Sequence, residues 1–261
     1  MTRIIGVVSG KGGVGKTTIV MNLGAELASK FKKDVLLVDC NITTSHLSMS
    51  LGMHFVPVTL NQVLKGDAHI ESAIYTHPTG MKIIPASLGV KDAEGIDTAN
   101  VKKHIKQLLG KVDIILLDAA PGLGKESQLT LSLSDEILFV TTPYVPAVMD
   151  IIRTKEMIKG EKTRLGVVLN MVTNERHELS KKEIEQLTEM PVIASIPYDK
   201  NVLKSLAAKQ PVTTFNPNAK ASREFTQLAA EITGEAPVKT DEGFFEAIFS
   251  KIKAIPIPRL R

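Results

Sequence analysis

The chain has 261 residues, 43% of them hydrophobic, enough to bury one sizeable core and within the usual length of a single α/β domain. Its one cysteine, Cys40, excludes an intrachain disulfide and any metal or cluster site built on several thiolates, and fits a reducing cytoplasm. The formal net charge of +4 argues only weakly for an anionic partner, because residues 239–261 alone hold five Lys/Arg against three Asp/Glu.

The first predicted element is the apolar run Ile4 to Val8, too short for a signal-peptide core and read as a buried strand. It leads into Ser9-Gly10-Lys11-Gly12-Gly13-Val14-Gly15-Lys16-Thr17-Thr18, and then into Ile19, Val20, Leu23 and Leu27 at helical spacing. Gly10 to Thr17 satisfies G-x-x-x-x-G-K-[ST], and a strand before with a helix after is the setting a phosphate-binding loop requires. Glycine permits positive φ and close backbone approach, so successive N–H groups from Gly12 to Thr18 turn toward an anion at a helix N-terminus. Lys16 is placed to reach the β- and γ-phosphates of ATP, and Thr17 to offer its hydroxyl to Mg²⁺. The second lysine, Lys11, makes the stretch K-G-G-V-G-K-T-T, which resembles the deviant Walker A signature of the MinD/ParA family of ATPases. The resemblance implies that Lys11 crosses an ATP-sandwiched homodimer to the partner's nucleotide.

Val35 to Asp39 and Ile114 to Asp118 are continuous apolar runs ending in a carboxylate, as expected of buried parallel strands that deliver an acid to the carboxyl edge of a sheet. Beside a phosphate loop, Asp39 and Asp118 suit magnesium and water positioning together with Thr17, Asp118 being the Walker B residue. The loop Ala119 to Gly124, rich in Pro and Gly, resembles the family's switch II. MinD-like proteins usually carry a second acid two positions after the first, and here Asn41 stands there. If Asn41 is that counterpart, its amide can orient a water but cannot take its proton, so hydrolysis should be slow or partner-dependent; alternatively it caps the following turn.

Residues 42–80 read as irregular. Further apolar runs at Lys82 to Pro85, Glu136 to Thr141, Leu165 to Asn170 and Val192 to Ile196 are separated by helix-like stretches at 98–109, 147–159, 180–188 and 219–232. The alternation predicts an α/β fold with a mostly parallel, twisted sheet flanked by helices on both faces. By resemblance, Asn170 pairs with adenine, and the loop of Pro197, Tyr198 and Asp199 covers the base; a turn-forming role is open for each. The helix after Pro146, with Asp150 and Arg153, matches a surface that in MinD-like proteins binds regulators at the dimer seam, or is simply solvated.

The expected domain spans 1–234, followed by a linker at 235–241 and a tail at 242–261. At about 100° per residue, Phe244, Phe245, Ile248, Phe249, Ile252 and Ile255 fall within an arc of about 140°, with acids early and lysines late. This resembles the membrane-targeting helix of MinD-like proteins, and 14 residues at about 1.5 Å each would lie in the plane of an anionic bilayer, not cross it. The expectation is therefore a MinD-like ATPase that dimerises on ATP and binds the inner face of the cell membrane peripherally. It would position the division site or a surface structure under a regulatory protein. A ParA-like DNA-partitioning ATPase shares the loop but has no use for a Phe-rich tail, and an ATP-coupled biosynthetic enzyme would need a substrate site that the sequence does not display.

Overall fold

The computed structural model describes residues 1–96, 100–158 and 162–236. Strands β1 (Arg3–Val8), β2 (Val35–Asp39), β3 (Tyr75–Thr76), β4 (Lys82–Ile84), β5 (Ile114–Asp118), β6 (Glu136–Thr141), β7 (Thr163–Val172) and β8 (Val192–Pro197) form one sheet in the order β3-β4-β2-β5-β1-β6-β7-β8. Every pairing is parallel except β3 with β4. The helices are α1 (Lys16–Ser29), α2 (Leu47–Ser50), α3 (Leu60–Lys65), α4 (Val101–Lys106), α5 (Lys125–Leu133), α6 (Val145–Glu156), α7 (Lys181–Thr188), α8 (Lys200–Ala207), α9 (Val212–Phe215) and α10 (Lys220–Thr233).

Successive side chains of a strand face opposite sides, so an unbroken apolar run feeds two cores at once. Leu37 and Leu116 join Ile19, Leu23, Leu27, Phe225 and Leu228 from α1 and α10 on one face. Their neighbours Leu36, Val38, Ile115 and Leu117 meet Leu60, Val63, Ile105 and Leu108 on the other. A third cluster sets Ile137, Phe139, Val167 and Leu169 against Val148 and Ile151 of α6 and Ile184 of α7. Helix α5 contributes Leu133 and Leu131 to these last two clusters, opposite α1. The chain thus leaves β1 and β5 toward opposite faces and opens a crevice at their carboxyl ends, the usual ligand position in such sheets.

Most sequence-expected elements are present, with shifted ends. Helix α6 starts two residues early at Val145 because Pro146, lacking an N–H, fits a first helical turn. The stretch expected at 98–109 is regular helix only over Val101–Lys106, residues 97–99 lying outside the described part. The irregular region 42–80 contains α2, α3, a 3₁₀ turn at Ile70–Ala73 and β3. Helix α3 is held by a capping box in which the Thr59 side chain and Gln62 satisfy each other's backbone N–H groups. The tail expected at 242–261 and most of its linker lie outside the described residues.

Phe225 is fully buried on the shared face of α1 and α10. The substitution Phe225→Ala is expected to cost about 3–5 kcal/mol of unfolding free energy, read as a lowered urea midpoint at unchanged m-value.

Candidate functional site

The loop between β1 and α1 is shaped by backbone requirements. Gly13 and Gly15 adopt φ of +81° and +92°, where L-residues with side chains are strained. Gly10 admits no side chain for a different reason: a Cβ there would lie 2.5 Å from the carbonyl oxygen of Asp150 on α6. On the other side, buried Asn170 at the end of β7 donates its Nδ2 to the Val14 carbonyl at 2.8 Å. The phosphate loop is therefore clamped between α6 and β7.

Lys16 opens α1 and is 7% exposed, with Ser9 Oγ, 2.8 Å away, as its only hydrogen-bond acceptor among the described residues. Ser9 in turn donates to the Lys11 carbonyl at 2.7 Å, which ties the two ends of the loop together. Burial lowers the Lys16 pKa, and the charge of Asp118 partly offsets this. An ammonium with three donors and one neutral acceptor is an incomplete arrangement that triphosphate oxygens would complete.

Thr17 donates its hydroxyl to Asp118 Oδ2 at 2.6 Å, while Asp118 Oδ1 is buried with no partner. An orphaned buried carboxylate oxygen is costly, and a hard cation beside the Thr17 hydroxyl would satisfy it. No cluster of three potential His, Cys, Asp or Glu ligands occurs among the described residues. A cation here would depend on few protein ligands, with phosphate oxygens and water for the rest, which is the habit of magnesium. Burial, and next the negative charge of Asp39, push Asp118 up to about 7.

Asp39 is level with Asp118 across the β2–β5 ladder and fully buried. It accepts from Ser45 Oγ at 2.6 Å, Asn41 N at 3.0 Å and Leu47 N at 3.3 Å, so both its oxygens organise the following loop. Asn41 is closed on that loop too: its Nδ2 donates to Thr44 O at 2.5 Å and its Oδ1 accepts from Thr44 Oγ1 at 2.9 Å. The turn-capping alternative is thus the one the geometry displays for Asn41.

Lys11, Gly12 and Gly13 form the exposed outer lip of the loop, with Val14 buried and Gly15, Thr17 and Thr18 half-buried. Val145 and Met149 on α6 and Met171 just past Asn170 are exposed. Of these two elements, Asp150 of α6 packs against Gly10, and Met171 would lie 3.7 Å from a Cβ at Gly15. Pro197 ends β8. Asp199 serves as the N-cap of α8, accepting from Asn201 N at 2.8 Å and Ala221 N at 3.3 Å, so its side chain is spent on structure. Asp150 and Arg153 form an exposed pair at 3.1 Å. Sequence reasoning missed Ser9 and Ser45, the hydroxyls that serve Lys16 and Asp39. It also missed Glu126, which accepts from Thr43 Oγ1 at 3.4 Å and so joins the loop after β2 to the first turn of α5. Ser9 stood inside the motif and was the one a closer reading could have found.

A model of the CobQ/CobB/MinD/ParA nucleotide binding domain matches residues 5–212. An uncharacterised ATP-binding protein of Methanocaldococcus jannaschii is 34% identical over 255 residues, covering 96% of each chain. The structure of the septum site-determining protein MinD of Pyrococcus horikoshii, complexed with Mg-ADP, is 32% identical with a TM-score of 0.85, covering 89% of this chain and 96% of that one. A chain of the MinC:MinD cell division protein complex of Aquifex aeolicus is 27% identical with a TM-score of 0.78, covering 91% and 98%.

Burial also raises Asp39, to about 6, and the raised pair has a consequence for stability. In the metal-free protein, Asp118 still holds a proton between its unfolded value of about 4 and its folded value of about 7. The native state binds more protons than the unfolded chain in that window, so stability falls as pH rises through it. Thermal melts from pH 4 to 8 without divalent cations should show this decline, and Asp118→Asn should reduce it, leaving the part that Asp39 carries.

Proposed function

The chain belongs to the CobQ/CobB/MinD/ParA family of nucleotide-binding domains, and on that premise we propose that it is a MinD-like ATPase whose ATP-bound homodimer associates with an anionic membrane surface. The observation that carries the nucleotide reading is the pairing of a buried Lys16, served by one neutral hydroxyl, with an orphaned Asp118 Oδ1 beside Thr17. Both defects are of the kind that Mg-ATP removes, and the Pyrococcus relative was solved with Mg-ADP.

In this reading the backbone N–H groups of Gly12 to Thr18 and the Lys16 ammonium hold the triphosphate, Thr17 and Asp118 hold the cation, and Asp39 keeps the loop after β2 in register. Magnesium, when bound by Thr17 and Asp118, would supply charge neutralisation to phosphoryl transfer. Slow or partner-stimulated turnover is proposed from the position of Asn41, where MinD-like proteins usually carry an acid and where this amide, closed on Thr44, leaves no side chain to accept the water's proton. Asn170 and the Pro197 to Asp199 loop are assigned to the adenine end of the nucleotide.

Lys11 on the exposed lip, together with the exposed apolar side chains Val145, Met149 and Met171, supports a second copy closing over the nucleotide. A regulatory protein on the seam of that dimer is proposed from the likeness to the MinC:MinD complex. None of the helices among the described residues is long and apolar enough to cross a membrane. Residues 242–255 carry the proposed anchor. Six large apolar side chains are worth roughly 1.5–3 kcal/mol each on burial, against roughly 1–2 kcal/mol of backbone entropy per ordered residue. One copy binds marginally, and two joined copies gain an effective concentration advantage of about 10²–10⁴. The role is positioning of the division site or a surface structure.

Lys11→Ala is expected to leave nucleotide binding within about threefold while abolishing the ATP-dependent dimer, measured by light scattering on a sizing column with Mg-ATP and Mg-ADP. A monomer in every nucleotide state of the unsubstituted protein would overturn the reading. Sedimentation with vesicles of anionic lipid should require ATP and fall at least tenfold on Phe249→Glu. Equal retention with ADP, or retention on plasmid DNA instead, counts against a membrane switch.

A further inference from the structure

The largest cavity of the described fold lies away from the phosphate loop and has no part in the nucleotide reading. It is an open groove of about 810 Å³, lined among others by Ala28 of α1, Met53 and Phe55 of the loop before α3, and Tyr75 of β3. The volume falls within the roughly 300–1,000 Å³ of small-molecule sites, which are mostly apolar with a few placed polar groups. Phe55 is 99% exposed and Met53 half-buried. Tyr75 adds wall without a free polar end, because its hydroxyl donates to Val58 O at 2.9 Å and accepts from Val58 N at 2.8 Å.

Three further residues of the lining, His77, Lys209 and Gln210, supply donors without acceptors to match. The Thr79 backbone N–H can only donate, and it donates to His77 Nδ1 at 3.3 Å; Nδ1 therefore carries a lone pair, and the Thr79 hydroxyl 2.9 Å away donates to it as well. The ring proton is thereby fixed on Nε2, for which no acceptor occurs among the described residues. Burial holds His77 down to about 4, so the ring is neutral at physiological pH. Lys209 is exposed, is set by a backbone φ of +58°, and rests its Cβ 3.2 Å from where a Cβ on Gly52 would stand. No carboxylate among the described residues pairs with its ammonium. The Gln210 amide is likewise idle, its Oε1 buried without a partner. No Asp or Glu stands among the described residues that line the groove.

We propose that this groove is a binding site for a free amphiphilic monocarboxylate, whose apolar body lies against Met53, Phe55 and Tyr75 and whose head pairs with Lys209 and accepts from His77 Nε2–H and the Gln210 amide. Apolar walls with so few polar groups suit a ligand that is mostly hydrocarbon. One ammonium and neutral N–H donors match a single negative charge, and the run of inward backbone N–H groups that a phosphate draws is confined to the loop after β1. A cationic head would face Lys209 with no acid to offset it. The site takes one dissolved molecule and stands whether or not the protein binds a membrane.

Titration calorimetry on the full-length protein, with monomeric dodecanoate as the probe, tests this. One equivalent is expected to bind at least tenfold tighter than dodecanol or dodecyltrimethylammonium. Lys209 is exposed, so Lys209→Glu keeps the fold and should weaken dodecanoate at least fivefold. His77→Phe, which keeps a ring and removes the N–H, should do the same, whereas Phe249→Glu leaves the affinity unchanged. Hydrogen exchange places the ligand, with slowing on addition of dodecanoate expected at residues 51–56 and 75–80. Equal affinity for the three head groups, or no saturation by about 1 mM, overturns the proposal. Binding lost in Phe249→Glu but kept in Lys209→Glu assigns the probe to the tail and overturns it too. Displacement of dodecanoate by phosphatidylglycerol vesicles assigns the groove to lipid and overturns a site for a free acid.

Discussion

Two carboxylates held level on adjacent buried strands are the constraint around which this molecule is arranged. Asp39 and Asp118 end β2 and β5 in register, each without appreciable contact with water. Charges of one sign so placed repel, and burial penalises both, so neither can stand fully ionised without help. The chain answers differently on the two sides. Asp39 is surrounded by donors from its own downstream loop, whereas Asp118 keeps one oxygen unpaired next to Thr17. The first arrangement is structural. The second leaves a deficit whose natural complement is a divalent cation.

The phosphate loop meets this pair from the other side with a complementary deficit, an ammonium buried with too few acceptors. Its position owes little to its own residues. The α6 backbone at Asp150 leaves room only for glycine at position 10, and the Asn170 amide holds the Val14 carbonyl from β7. Elements separated by well over a hundred residues thus converge on one short turn. This is how a glycine-rich segment comes to have a defined shape.

The parts of the fold legible in the sequence were those governed by local pattern. Apolar runs such as Ile114 to Leu117 announce strands buried on both faces, and the glycines with Lys16 and Thr17 announce the phosphate loop, because each follows from neighbouring residues alone. Helix ends were less legible, as at Val145, where a proline that breaks helices elsewhere instead begins one. What could not be read was reciprocity at a distance. Asn41 displays an amide suited to water, yet Thr44 takes it, and Asp199 in a loop matching a base-covering motif turns out to cap α8. The hydroxyls of Ser9 and Ser45 matter through which partners they meet, and only the three-dimensional arrangement supplies those.

The two margins of the sheet close on a different theme. At one margin β3 is only two residues long and runs against its neighbour, after seven strands in parallel alignment. A strand so brief exposes scarcely any backbone pattern for a foreign chain to copy, which guards a long apolar sheet against uncontrolled fibril growth. Association by lateral sheet extension is thereby discouraged at that border, and self-assembly is channelled to surfaces where side chains, not peptide groups, set the terms of recognition.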